Sequence, residues 1–205
     1  GRTVYSDGSL NSSNCWGDHS LWMLLSSALG LSHMFPNSAV FSPRSYPKWD
    51  RKGVREVGVV TGCFFLLSRA SWEALGGFDP EFFMYGEEVD LCLRARSQMG
   101  AKPICTGAAE IIHYGGASDP HSADKVIRLL LADLRLFYRH WSGPQFQLAR
   151  MLLLLRISVR VIASGLRGDP QSIWKEVWKR RREWSRNPGM IGPGVHGSSP
   201  VEASP

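Results

Sequence analysis

Residues 57–69 read Val-Gly-Val-Val-Thr-Gly-Cys-Phe-Phe-Leu-Leu-Ser-Arg, a continuous apolar run rich in β-branched and aromatic side chains. A run of that kind predicts a strand buried on both faces. Its surroundings have helical signals. Residues 70–77 predict a short helix closed by Gly76-Gly77, and Phe78-Asp79-Pro80 turns the chain. Residues 86–99 predict a second helix, stopped by Gly100, with Val89, Cys92, Leu93 and Arg96 at helical spacing. Asp90 and Arg94 form an i,i+4 pair on it. Residues 103–106 and 109–114 predict two short strands around a turn at Gly107. From residue 121 the pattern is helical, over 121–141, 145–166 and 170–186. Upstream, Asp7-Gly8 within 1–14 is a hairpin signal. Residues 20–35 form an apolar stretch interrupted by Gly30, and 36–56 read as a surface loop. There is no internal repeat. Strands alternating with helices predict an α/β body with a helical extension.

Composition narrows the class. With 205 residues, 43% of them hydrophobic, the chain can bury a real core, which excludes whole-chain disorder. Its four cysteines, Cys15, Cys63, Cys92 and Cys105, form no C-x-x-C pair. They read as ordinary thiols in a reducing compartment, not as a zinc ribbon or disulfide framework. No signal peptide opens the chain, and Gly1 in place of an initiator Met reads as a start cut from something longer, or processed. The net charge of +6 is unevenly placed. Residues 125–186 hold 14 of the 24 Lys and Arg against four acids, and the remainder has 10 basic and 14 acidic residues. An anionic membrane surface and nucleic acid are the partners open to such a tail; the acidic body gives nucleic acid no support. The Gly-, Pro- and Ser-rich residues 187–205 predict disorder.

The chemistry points to one segment. Asp79, Glu81, Glu87, Glu88 and Asp90 fall within twelve residues, interleaved with Phe78, Phe82, Phe83, Met84 and Tyr85. Carboxylates held against aromatic rings lose solvation and raise each other's pKa, which makes a usable general base. Glu87 and Glu88 also fall in the first helical turn, where the macrodipole favours anions and opposes that rise. The plainer reading is a helix start decorated with acids. His113 ends a short strand before Tyr114-Gly115-Gly116. It is either structural or one ligand of an oxygen-rich Mg²⁺ or Mn²⁺ site. The other histidines, His19, His33, His121, His140 and His196, read as structural or surface.

Residues 61–100, Thr-Gly-Cys-Phe-Phe-Leu-Leu-Ser-Arg through Gly-Gly-Phe-Asp, Phe-Phe-Met-Tyr-Gly-Glu and Asp-Leu-Cys-Leu-Arg, with Ile-Ile-His-Tyr-Gly-Gly behind them, carry a resemblance. The chain closely resembles the C-terminal half of family 2 glycosyltransferases, above all the rhamnosyltransferase-like members that build bacterial cell-surface polysaccharide. The likeness is dense over 57–118 and fades through 1–56 and 119–145. It implies the C-terminal part of a GT-A fold, a Rossmann-like mixed sheet, over residues 1–145. Amphipathic basic helices over 146–186 and the tail 187–205 would follow. It implies a nucleotide-sugar donor, a polysaccharide or lipid-linked acceptor, transfer with inversion and a divalent metal. By resemblance, Glu88 is the general base with Glu87 beside it, Glu standing where the family has Asp. Thr61, Gly62, Tyr85, Gly86 and Asp90 line the substrate, and His113 approaches the metal and diphosphate. The family's Asp-x-Asp occurs nowhere in the chain. An acceptor half of a larger enzyme and a non-catalytic relative are therefore both open.

In residues 146–166, Arg150, Arg156 and Arg160 interrupt an apolar helix, against its spanning a bilayer. Trp174, Trp178 and Trp184 then stand among six basic residues, a pattern suited to anionic headgroups. This predicts a peripheral protein at the cytoplasmic face of the cell membrane. The alternative is a helix pair packed on the body with a solvated basic face. A basic membrane- or nucleic-acid-binding protein with a structural body is the rival from another class.

Overall fold

The computed structural model describes residues 1–82, 84–114, 121–169 and 171–186. It is a mixed α/β chain. Among the described residues the strands form three two-stranded ladders. β1 (Arg2–Val4) runs parallel to β6 (Glu110–Ile112), with Arg2 opposite Glu110. β2 (Cys15–Trp16) is antiparallel to β4 (Val59–Val60). β3 (Arg55–Glu56) is antiparallel to β5 (Ile104–Cys105). One continuous mixed sheet was expected; the ladders are short and separate.

The helices are α1 (Leu21–Ala28), α2 (Leu31–Met34), α3 (Arg69–Leu75), α4 (Glu87–Met99), α5 (Ala123–His140), α6 (Gly143–Leu166), α7 (Ile173–Lys179) and α8 (Arg181–Trp184). Their starts follow the side chains available for capping. Ser20, Ser68 and Ser122 accept from backbone N–H groups at Met23, Ser71 and Lys125, and Ser142 with Gln145 forms a capping box. Gly30, Gly76 and Gly100 close or separate helices in the left-handed region, as expected.

The main core joins both ends of the chain. Leu24 of α1, Val59 of β4, Val89 of α4 and Phe82 from the turn before it pack with Leu134 and Phe137 of α5, Leu153 and Ile157 of α6, and Val177 and Trp184 of the last two helices. A second cluster holds Leu75, Leu91 and Ala95, with Phe65, Leu67 and Phe78 against it.

Several expectations are corrected. The run 57–69 is not one strand: only Val59–Val60 pairs, and Leu66 is 98% exposed. Beyond Thr61 the chain turns, so Phe65 and Leu67 reach the second core while Leu66 has none to enter. The Asp7-Gly8 turn forms, with Val4 bridging Leu10, but the lasting partner of β1 is β6. The 36–56 loop is not all surface. Arg51 is 1% exposed, held by Asn14 Oδ1 and the carbonyls of Ser12, Ser45 and Trp49. The helix expected over 170–186 breaks at Arg180. Trp184 is fully buried, its Nε1 donating to Val177 O, so it belongs to the core and not to a headgroup layer. Residues 187–205, Phe83 and 115–120 lie outside the described residues, and with them the expected disordered tail.

Candidate active site

The site is set by a turn. Tyr85 and Gly86 both take positive φ, +70° and +91°, immediately before α4. A Cβ on Gly86 would meet Phe82 Cδ1 at 3.1 Å and Ala132 Cβ at 3.3 Å, so packing and backbone both demand glycine. This pair reverses the chain and directs the first turn of α4 inward. Glu87 Oε2 and Glu88 Oε2 are both buried without a hydrogen-bond partner in the chain. Burial, and then the Glu87 charge, pushes the Glu88 carboxyl up to about 7, against the opposing pull of its own backbone N–H and of Arg44.

Arg44 comes from a single 3-10 turn, Pro43–Ser45, which Gly17 N–H anchors by donating to Arg44 O. Its guanidinium lies 5.6 Å from the Trp16 ring centroid, and its Nε is buried without a partner. Burial lowers the Arg44 pKa, while the charges of Asp133, Glu88 and Asp18 hold it up. Asp133 on α5 stands 3.6 Å from His19 Nε2, beyond hydrogen-bond range, and that nitrogen is unpartnered as well. Burial would raise the Asp133 carboxyl, but His19, Arg44 and Arg156 hold it below the usual range. Beside this group, a cavity of about 250 Å³ opens between β4, α4 and α5, with Asp18, His19, Arg96 and His140 among its lining. Arg96 and Asp18 form an ion pair there.

The other face of α4 is closed. Asp90 is fully buried. Its Oδ2 accepts from Arg94 Nε at 2.6 Å, and its Oδ1 meets Arg139 at 3.1 Å and His140 Nε2 at 2.9 Å. Burial alone would raise it; these three hydrogen bonds hold the carboxyl at about 2. Arg139 also takes Asp79 at 2.7 Å and Glu81 at 2.6 Å. Arg94 reaches on to Leu75 O and Gly77 O, tying the end of α3 to α4. The acidic cluster is thus two groups: Asp79, Glu81 and Asp90 all pair with Arg139, while Glu87 and Glu88 face elsewhere. Asp90 has no carboxylate oxygen free for a substrate; it holds the helix in place.

Thr61 Oγ1 donates to Ser13 O at 2.8 Å, and Thr61 N–H to Asn14 O at 3.0 Å, fixing the end of β4. Gly62 has open space where a Cβ would point. His113 is placed by its backbone: its N–H donates to Val4 O, and Asn11 Nδ2 donates to its carbonyl. Its Nδ1 is buried without a partner. Among the described residues, no three or more His, Cys, Asp or Glu gather closely enough to hold a metal ion. The described residues therefore do not by themselves assemble a site for the divalent metal.

Sequence reasoning missed Arg44, His19, Asp133 and Arg156. The arginines that interrupt the apolar helix were a usable signal, because a charge inside a core helix needs a reason to be there. Arg44 had none, being one cation in a loop of several.

No protein-family profile and no solved structure matches the chain. It is 34% identical over 113 residues, 54% of its length, to "O-antigen biosynthesis protein RfbC" of Myxococcus xanthus, of which it spans 8%. It is 33% identical over 120 residues, again 54% of its length, to "N-acetylglucosaminyl-diphospho-decaprenol L-rhamnosyltransferase" of Mycobacterium tuberculosis, of which it spans 37%. Over about half its length, then, the chain is similar to proteins of a glycosyltransferase-like kind.

Proposed function

We propose that this chain is the acceptor-side part of an inverting, GT-A-type glycosyltransferase, with Glu88 as its general base. The carrying observation is the Glu88 carboxyl, its Oε2 buried and unpartnered, in the first turn of α4 behind Tyr85 and Gly86. The names of the two relatives support transfer of a sugar, and one of them names a lipid-linked acceptor. In this reading Glu88 takes the proton of an acceptor hydroxyl as that oxygen attacks the anomeric carbon, opposite the departing nucleoside diphosphate. A carboxyl titrating near 7 is matched to that task at neutral pH. Glu87 keeps Glu88 raised, and Thr61 and Gly62 line the substrate in this reading. Mg²⁺ or Mn²⁺ is held, in this proposal, by the family's Asp-x-Asp half, with His113 toward the diphosphate.

In a complete enzyme carrying this segment, Glu88→Gln abolishes turnover while donor affinity stays nearly intact. Turnover surviving within about tenfold, below the usual 10²–10⁴ contribution of a general base, removes Glu88 from the role.

The membrane reading rests on α6 and not on the tryptophans. Leu148, Met151, Leu155, Ile162 and Leu166 are all exposed and lie along one stripe of that helix. No helix among the described residues is long and apolar enough to cross a membrane. We place the protein peripherally at the cytoplasmic face of the cell membrane, as a lipid-linked acceptor would require. Liposome flotation is expected to depend on anionic lipid; equal recovery without it removes this reading.

A further inference from the structure

A second cavity, of about 240 Å³, lies between α5, α6 and α7. A water takes roughly 30 Å³ in the liquid, so the space admits an ion of diphosphate size. Arg156 and Arg160 line it from α6, Asp133 and Leu129 from α5, Trp174 from α7, and His121 from just before α5. One turn apart on one helix, the two guanidiniums repel each other. Burial lowers both of their pKa values, and the Arg156 charge lowers that of Arg160 further. The one acid in the lining, Asp133, is shared with His19 and Arg44. Arg156 Nε is buried and has no hydrogen-bond partner in the chain. Arg160 lies 4.4 Å from the Trp174 ring centroid, and His121 packs edge-on to the same ring at 6.2 Å. A guanidinium held by its face keeps its N–H edge for in-plane acceptors. A fold that places two desolvated like charges around a hollow, one with an unused donor, is completed by an anion.

We infer that this cavity binds a phosphate or diphosphate group, held by Arg156, Arg160 and His121. Guanidinium forks match phosphate oxygens in pairs, and the lining's one acid, Asp133, is already drawn to His19 and Arg44. Leu129 at the rim, 39% exposed, offers an apolar surface to whatever the phosphate carries. The inference rests on the acceptor reading only in making that group a lipid-linked headgroup; a free phosphate compound shares the chemistry.

The test is calorimetric titration of the full chain at low ionic strength with inorganic pyrophosphate and, separately, with farnesyl diphosphate. Saturable one-to-one pyrophosphate binding is expected, weakened at least tenfold in Arg160→Gln and in Arg156→Gln. Ligand-free Arg160→Gln should stay folded, the repulsion it removes offsetting the lost stack on Trp174. Should Arg156→Gln fail to fold, the half-buried Arg160 decides alone. Farnesyl diphosphate binding at least tenfold tighter than pyrophosphate assigns the site to a lipid headgroup; equal affinities assign it to the free anion. Absence of saturable binding to folded wild type, or unchanged affinity in Arg160→Gln, overturns the inference. Binding is read without turnover, so its failure leaves the Glu88 assignment standing, and a failed Glu88 assignment leaves the binding result standing.

Discussion

Glu88 and Asp90 stand two residues apart on α4, on opposite faces of one helix. Asp90 is fully buried among Arg94, Arg139 and His140, and its carboxyl sits at about 2. Glu88 is turned toward Arg44 and Glu87 with one oxygen unpartnered, and sits at about 7. Burial acts on both in the same direction. What separates them is their neighbours: hydrogen bonds from His140, Arg94 and Arg139 overcome desolvation on one side, and the Glu87 charge adds to it on the other. A carboxylate with both oxygens engaged holds structure, whereas one with an unused oxygen is available for proton transfer.

The comparison can be broken from either side. The largest effect is expected on the closed face. Asp90→Asn leaves Arg94 and Arg139 facing a neutral amide and should destabilise the fold by about 3–5 kcal/mol in denaturant titration. The folded Asp90 value lies below the ordinary 3.8. Its stabilisation is therefore present above pH 4 and lost as pH falls through about 2, and the wild-type advantage should vanish there. A loss under 1 kcal/mol at pH 7 would show that Asp90 does not hold α4.

Glu88→Gln should do the reverse. The folded Glu88 value lies above the ordinary 4.5, so its favourable contribution is full below pH 4.5 and disappears as pH rises through about 7. At pH 8 the ionised carboxylate opposes folding by on the order of 3 kcal/mol. The Gln variant should then melt higher than wild type at pH 8, the gap closing toward pH 5. A Gln variant that melts lower at both pH values would mean that Glu88 is paired and structural, like Asp90.

Gly86→Ala probes the turn that serves both faces. With φ at +91° and Phe82 and Ala132 where the methyl would go, it should cost roughly 1–3 kcal/mol. It should also bring the Glu88 titration, followed by carboxyl NMR, back toward 4.5 if the turn is what directs that residue inward. An unchanged titration would locate the cause elsewhere.

Much of the organisation was legible in the chain. The helices α3 to α6 lie close to where helical spacing placed them, and Gly76 and Gly100 stop α3 and α4, because those signals act within one turn of backbone. The Asp90–Arg94 pair was readable for the same reason, being one turn apart. The run 57–69 misled because hydrophobicity states that a residue wants burial, not whether a partner strand exists to supply it; only β2 does. The acidic cluster misled because five neighbouring carboxylates look like one site until Arg139, some fifty residues later, removes three of them.

By itself, then, the sequence determined the local elements and the presence of Glu88 at the head of α4, since caps, turns and helical spacing need no distant residue. Only the tertiary structure decided which carboxylate is engaged and which is free. Arg44, Asp133, Arg139 and Arg156 reach α4 and its surroundings from four other places in the chain, and a pKa belongs to the surroundings and not to the residue.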